Sequence, residues 1–362
     1  MRTPFKKRTQ PTTTGFTLVE LLVAMSVLVL LLVLVSQLVN SASLVTSQSG
    51  KRLDADTQAR MLFDCMAVDF ENMIKRPDVD TLFYKATGND KLFFFSQAPA
   101  YFNSAINATA KSDVALVGYR VTGQNGDASN FAPAHSLERL GKGLTWDGTP
   151  GGAAPGSMVF ASGSANPTNT LASIWTADIG SAPDYSGSSD FYHVLADQVF
   201  RMEICFQVKD VTHPNAIGAA YSNYPVAVNS ALASASCGAG VPPNSGQPGS
   251  RWYDTVNSRA YLCASGSGAT AIWQANGLKD LVSIVVTIAV LDHTSRAVTP
   301  DLASLAALFA DADEQTDLRA NPPKLPAQKW KEALETAIKN SATGIPKEAT
   351  AQIRIYQRHF QP

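Results

Sequence analysis

Charge is scarce in this chain. Of 362 residues only 16 % are Asp, Glu, Lys or Arg, and the formal net charge is -1. No basic patch or basic-aromatic alternation occurs, so the electrostatic footprint of a nucleic-acid binder is missing and no nucleic acid is expected as a partner. Cysteine is limited to Cys65, Cys205, Cys237 and Cys263. None of them stands in a Cys-x-x-Cys or Cys/His ligand spacing, which argues against zinc. The histidines, His135, His193, His213, His293 and His359, are scattered. No Gly-x-Ser-x-Gly, phosphate loop or His-Glu-x-x-His is present, and Asp292-His293 reads as a turn rather than a dyad. Without a constellation of groups that could act on a substrate, the expectation is a non-catalytic chain that needs no cofactor. The nearest approach to a metal site is Asp311, Asp313, Glu314 and Asp317. These acids lack the glycine and terminal glutamate of an EF-hand loop, so a calcium site competes there with a solvated acidic turn.

Proline, glycine and charge are also nearly absent from one stretch, and it organises the rest. From Phe16 to Val35 the chain runs 20 residues with Glu20 as its single charge. As a helix this spans the ~30 Å of a bilayer's hydrocarbon. An acid at the fifth place of such a span is costly in lipid and needs a partner, a purpose or an interfacial position in water. Ahead of it stand Arg2, Lys6, Lys7 and Arg8 with no acid. The positive-inside rule therefore keeps the N-terminus in the cytoplasm and sends everything after Val39 across the membrane. A cleaved secretory signal is the rival reading, with Ser41-Ala42-Ser43 as its cleavage site, but the apolar run exceeds the ~7 to 15 residues usual for one. Removing the leader's four cations would change the net charge from -1 to -5.

Gly15-Phe16-Thr17-Leu18-Val19-Glu20, behind a basic leader and ahead of an apolar run, resembles the processing motif of type IV prepilins and of the pseudopilins of type II secretion. The resemblance implies cleavage after Gly15 by prepilin peptidase and N-methylation of Phe16. It also implies that Glu20 pairs with the N-terminal amine of a neighbouring subunit during assembly. A buried ion pair is poor evidence for stability, but it can fix register. The partners implied are the peptidase, other pilins or pseudopilins and the bacterial inner membrane. The chain would be single-pass, with its globular part periplasmic or extracellular. The motif covers about 60 residues and does not describe that globular part.

Beyond the span, Leu62, Cys65/Met66, Asp69/Phe70 and Met73 recur at helical spacing, and no Gly or Pro interrupts from Lys51 to Arg76. One helix over 16–76 is expected, ended by Pro77 and open to a break at Gly50. It divides into a transmembrane half, 16–39, and an outer half, 40–76, whose apolar stripe packs on a sheet. Short strands are expected at Thr81–Lys85, Lys91–Ser96 and Val114–Val121. Residues 123–190 read as an elaborated loop region with Trp146, Phe160 and Trp175 as anchors. Val194–Lys209 and Gly277–Leu291 read as half-buried strands of a central sheet. Their wording also resembles the paired sheet strands of J-type minor pseudopilins. Between them, 213–270 reads as a surface insertion.

Outside the membrane, disulfides are permitted, and Cys237 with Cys263 is the pairing expected, since it would close a Gly/Pro/Ser-rich loop. Cys65 and Cys205 serve equally well as small buried hydrophobes. Helices are expected over 300–312, started by Thr299-Pro300-Asp301, and over 326–341, with Trp330, Leu334 and Ile338 four apart. The final IRIYQRHF reads as an edge strand, and the chain's ending and size resemble the Verru_Chthon cassette protein C group of prepilin-like proteins. The expected fold is thus α+β and pilin-like: a long N-terminal helix on an antiparallel sheet domain with added loops and C-terminal helices. The function implied is a structural subunit of minor pilin or pseudopilin kind. The alternative is a membrane-anchored surface or binding protein that uses the processing route without forming a filament.

Overall fold

The computed structural model describes residues 15, 17–75, 82–84, 88–101, 111–122, 135–143, 192–209, 219–223, 237–238, 246–247, 250–254, 259–266, 268, 271–275, 277, 280–297, 299, 302–340 and 347–362. The chain divides into two compact units, Met1–Leu53 and Asp54–Pro362. One helix, α1, runs through both from Leu18 to Glu71, 54 residues, about 81 Å at 1.5 Å per residue. Gly50 does not interrupt it; the ~1 kcal/mol that glycine costs a helix is spread over too long a ladder to break it. The helix stops short of Arg76 for a tertiary reason. Met73 bridges to Ser96, and the Ile74 N–H donates to the Phe95 carbonyl at 2.8 Å, so strand pairing takes the backbone over. Pro77, the expected stop, lies outside the described residues.

Within the second unit β1 (Leu82–Tyr84) and β2 (Lys91–Ser96) are followed by the short pair β3 (Ala100–Tyr101) and β4 (Lys111–Ser112). Then come β5 (Ala115–Val121), β6 (Leu137–Gly143) and β7 (Tyr192–Ala196). A five-stranded antiparallel sheet has the order β1-β2-β5-β6-β7. Its strand β6 falls in the region read as loop, because LERLGKG has no apolar alternation to mark it. The anchors Trp146, Phe160 and Trp175 lie outside the described residues. Phe93 stands directly opposite Gly118, and a Cβ on Gly118 would come within 2.1 Å of Phe93 Cδ1. Only glycine lets that ring cover the neighbouring strand.

The next strands are β8 (Val199–Lys209), β9 (Ala219–Ser222), β10 (Cys237–Gly238), β11 (Arg251–Asp254), β12 (Arg259–Ser265), β13 (Ile272–Ala275) and β14 (Leu281–Val290). The stretch Val194–Lys209 is therefore not one strand. Asp197-Gln198 forms a turn, and the residues before it belong to the first sheet. The chain ends in helices α2 (His293–Ala297), α3 (Leu302–Ala307), a π-helix (Glu314–Leu318), α4 (Pro326–Asn340), α5 (Lys347–Gln352) and strand β15 (Arg354–Phe360). The second sheet has the order β15-β14-β8-β9, which puts the C-terminal strand at an edge. The region 213–270 is not wholly surface loop. It supplies β9 to that sheet and three strands, β10, β11 and β12, of a four-stranded sheet that β13 completes, β10-β11-β12-β13. Pro300 and Asp301 lie outside the described residues.

The main core forms where the outer part of α1 meets both larger sheets. Ala55, Ala59, Leu62, Met66, Phe70 and Met73 cluster with Phe94, Val117 and Tyr119 of the first sheet and with Met202, Ile204, Phe206, Val286, Ile288 and Phe360 of the second. The small Ala55 and Ala59, four residues apart, let the helix backbone approach. Phe70 stacks on Phe94 at 5.1 Å and tilts against Phe360 at 5.1 Å. A separate cluster on the other side of β8 and β14 holds Phe200, Leu305, Phe309 and Trp330. These two strands are thus covered on both faces, not one. Burial of Arg201 and Glu203 follows from that second layer.

Candidate functional site

Residues Leu18 to Val45 form a run of exposed large apolar side chains interrupted by few others. An 18-residue window of α1 has mean hydropathy 3.1 with none of it buried. One helix among the described residues is therefore long and apolar enough to cross a membrane. Gly15 is exposed, with open space around it; Phe16 and the basic leader lie outside the described residues. Glu20 has a partner in its own chain. Its Oε2 accepts from the Thr17 N–H at 2.9 Å and from the Thr17 hydroxyl at 2.9 Å, while the Glu20 N–H donates to Thr17 Oγ1 at 3.3 Å. This reciprocal arrangement is a capping box: Thr17 is the cap, Glu20 the third helical residue, and two N–H groups that the first turn leaves unpaired are satisfied.

Within the second unit the outer part of α1 is held by acids. Asp69 is 2 % exposed and lies in the fork of Arg139, with Nε to Oδ2 at 2.6 Å and Nη2 to Oδ1 at 2.7 Å. The Tyr119 hydroxyl donates to the same carboxylate. Burial works against the Arg139 charge, but the hydrogen bond and charge of Asp69 outweigh it and strengthen its hold on the proton. Burial and the Asp69 charge push the Tyr119 hydroxyl well up, and burial, then Asp69, raise the Cys65 thiol nearby. Cys65 is accordingly a poor nucleophile. Nearer the helix middle, Gln198 Nε2 donates to Asp54 at 2.7 Å, Tyr356 to Asp56, and Arg358 to Asp64 at 2.7 Å.

The four acids considered for calcium are each committed to a group of the protein. Asp311 pairs with Arg201, whose Nε also donates to the Phe309 carbonyl at 3.1 Å and whose guanidinium lies 5.0 Å from the centre of the Trp330 ring. Asp313 caps the π-helix through the N–H groups of Gln315 and Thr316 at 3.0 and 2.8 Å. Glu314 binds Arg319 at 2.9 Å and accepts from the Asn223 N–H at 2.8 Å. Asp317 binds Lys329 at 2.6 Å. No group of three or more His, Cys, Asp or Glu among the described residues is arranged to hold a metal. The acids form a bonded cap and ion-pair network. Asp292 caps α2, accepting from the Ser295 N–H at 3.2 Å.

Hydrogen bonds from the Thr316 N–H and hydroxyl hold the Asp313 carboxyl below the usual carboxylate range. A carboxylate lowered on folding adds stability above its unfolded value and loses it as pH falls through the folded one. Asp313→Ala is therefore expected to cost roughly 0.5–2 kcal/mol at pH 7, as lost caps do. The difference from the parent should shrink below about pH 4, which urea unfolding at pH 7 and pH 3 reads directly. A constant difference across that range would mean the carboxylate's charge is not what the cap uses.

Cys237 lies on β10, Cys263 on β12, and β11 runs between them; Cys237 stands opposite Tyr253, and Tyr253 opposite Ala260. Two interstrand spacings of ~4.8 Å and three residues along β12 separate the cysteines, more than the ~7 Å between Cα atoms that a disulfide tolerates. The register does not bring together the pair expected from the loop composition. Comparison with protein-family models, curated proteins and solved structures finds no match to this chain.

Sequence reasoning missed the Asp69–Arg139–Tyr119 cluster, although one signal was there. Asp69 occupies the same apolar stripe as Met66 and Phe70, and a charge in a core-facing stripe demands a partner. The partner's identity depends on sheet register, which one sequence does not display.

Proposed function

We propose that this chain is a non-catalytic structural subunit, minor pilin-like or pseudopilin-like, of a type IV pilus or type II secretion-like filament in the bacterial inner membrane. Prepilin peptidase cuts it after Gly15, and it assembles through its N-terminal helix. The observation that carries the reading is α1 itself: 54 residues whose first part is apolar and fully exposed, while Ala55, Leu62, Met66 and Phe70 further on are buried in the domain core. Lipid before assembly and neighbouring helices after it are similarly apolar surroundings, so packing and the Glu20 contact can decide the balance. Orientation follows from the basic leader, with the N-terminus cytoplasmic and the domain outside. A unit as large as Asp54–Pro362 suits a minor or initiating position better than a repeating one.

The capping box favours a second reading. With Glu20 satisfied by Thr17, the helix needs no neighbour's amine, as befits a membrane-anchored surface or binding protein that does not polymerise. The N-terminal mass of the membrane-extracted protein tests the step common to both. A terminus at N-methylated Phe16 is expected; a terminus at Met1 or near Ser43 would overturn processing and the assembly reading with it.

A further inference from the structure

Two side-chain amides at the start of the second unit are only half bonded. Gln198, in the turn between β7 and β8, is 3 % exposed. Its Nε2 donates to Asp54 Oδ2 at 2.7 Å, but no donor reaches its buried Oε1. One turn along α1 from Asp54, the half-buried Gln58 repeats the arrangement. Its Nε2 lies 3.4 Å from Asp197 Oδ1, and its buried Oε1 likewise has no partner. Turning either amide over sets its oxygen against a carboxylate and strands the N–H groups instead, so the four side chains cannot satisfy one another. The turn that carries two of them is firmly placed. Ala196 and Val199 on either side of it belong to the main core, and the Gln198 carbonyl accepts from the Leu291 N–H at 2.9 Å. Asp197 also acts on the charge of Arg296 on α2, but two carboxylates against one guanidinium leave the group negative. Asp54 is exposed and gives the group an opening to solvent.

We infer that Asp54, Gln58, Asp197 and Gln198 form a calcium site. Two carboxylates and two amide oxygens are the hard, oxygen-only ligand set this ion takes, with water filling the rest of its ~6–8 places. The ion supplies what each stranded oxygen lacks and offsets the local negative charge, whereas a water molecule would do only the first. With acids as only two of its ligands, the group differs from a cluster of three or more His, Cys, Asp or Glu, of which the described residues hold none. So few charges place the affinity near the ~10⁻⁴–10⁻³ M of extracellular calcium modules, in keeping with the location proposed above for this unit. Bound there, the ion ties α1, next to Ala55 and Ala59 of the core, to the β7–β8 turn.

The test unfolds the full-length chain in detergent with urea, once in a chelator and once in about 5 mM calcium chloride, above the expected dissociation constant. Calcium should raise the parent's midpoint. Magnesium should raise it far less, since that ion demands a tighter octahedron and sheds water reluctantly. Asp54→Asn should weaken calcium binding by about tenfold in a calorimetric titration, through loss of one ligand charge. In the chelator the same variant should unfold at the parent's midpoint or above it, because without the ion the two carboxylates only repel. A merely structural bond from Gln198 to Asp54 would instead lower the midpoint equally with and without calcium, and that result would overturn the site. So would a parent midpoint indifferent to calcium, or a calcium shift that survives in the double variant Asp54→Asn with Asp197→Asn, which would put the ion elsewhere. Neither readout depends on cleavage after Gly15 or on entry into a filament, so failure here is distinct from failure of the assembly reading.

Discussion

Asp69→Ala is expected to destabilise the second unit by about 3–5 kcal/mol, because it leaves the Arg139 guanidinium partly buried without its counter-charge. The side chains are 3 % and 19 % exposed respectively, so water can recover only part of the lost bonding. The Tyr119 hydroxyl loses its acceptor in the same step. Urea unfolding at neutral pH measures the loss. A fall below about 1 kcal/mol, the range of an exposed pair, would mean that apolar packing of Phe70, Met66 and Leu62 alone docks the helix. Asp69→Ala with Arg139→Leu should recover much of the stability, since an apolar pair of suitable volume can replace a buried ion pair. A double variant no better than the single one would locate the loss elsewhere than in the stranded charge.

Why this pair went unread while its helix was plain is a matter of range. Helical spacing is local: Leu62, Met66, Phe70 and Met73 announce their common face from the sequence, and that face is buried. Strand pairing is not local. β6 carries Arg139 but has neither β-branched residues nor alternation, so its place beside β5 depends on neighbours far along the chain. The same limit explains Arg201 and Glu203. Alternation along β8 reads as one wet face until the helices bearing Phe309 and Trp330 are known to cover it. The acids of the 311–317 stretch were legible as a cluster but not in purpose, since Arg201 reaches them from 110 residues away and Lys329 from the next helix. At the N-terminus the apolar run was legible in full. Thr17, three residues before Glu20, stands at the capping-box spacing as well, a local signal beside the cost of a charge in lipid.

That spacing gives Glu20 two separable roles, and two substitutions tell them apart. Glutamine at the third helical residue can still close a capping box, so Glu20→Gln keeps the first turn and removes only the charge. Glu20→Val removes both. If Glu20 acts by pairing with a neighbour's amine, both variants should still be cut after Gly15 but should fail alike to enter filaments or to bring down partner subunits. If its role is confined to the cap, Glu20→Gln should assemble like the parent and only Glu20→Val should fall short. The expected result is the first, a near-complete loss of assembly in both, because a neutral amide offers a cationic amine a far weaker partner than a carboxylate does. Co-purification with a tagged partner from detergent-solubilised membranes reads the difference, and the N-terminal mass of the same samples confirms that processing was untouched. Assembly of Glu20→Gln at the parent's level would remove the charge pairing and leave Thr17-Leu18-Val19-Glu20 as a helix start alone.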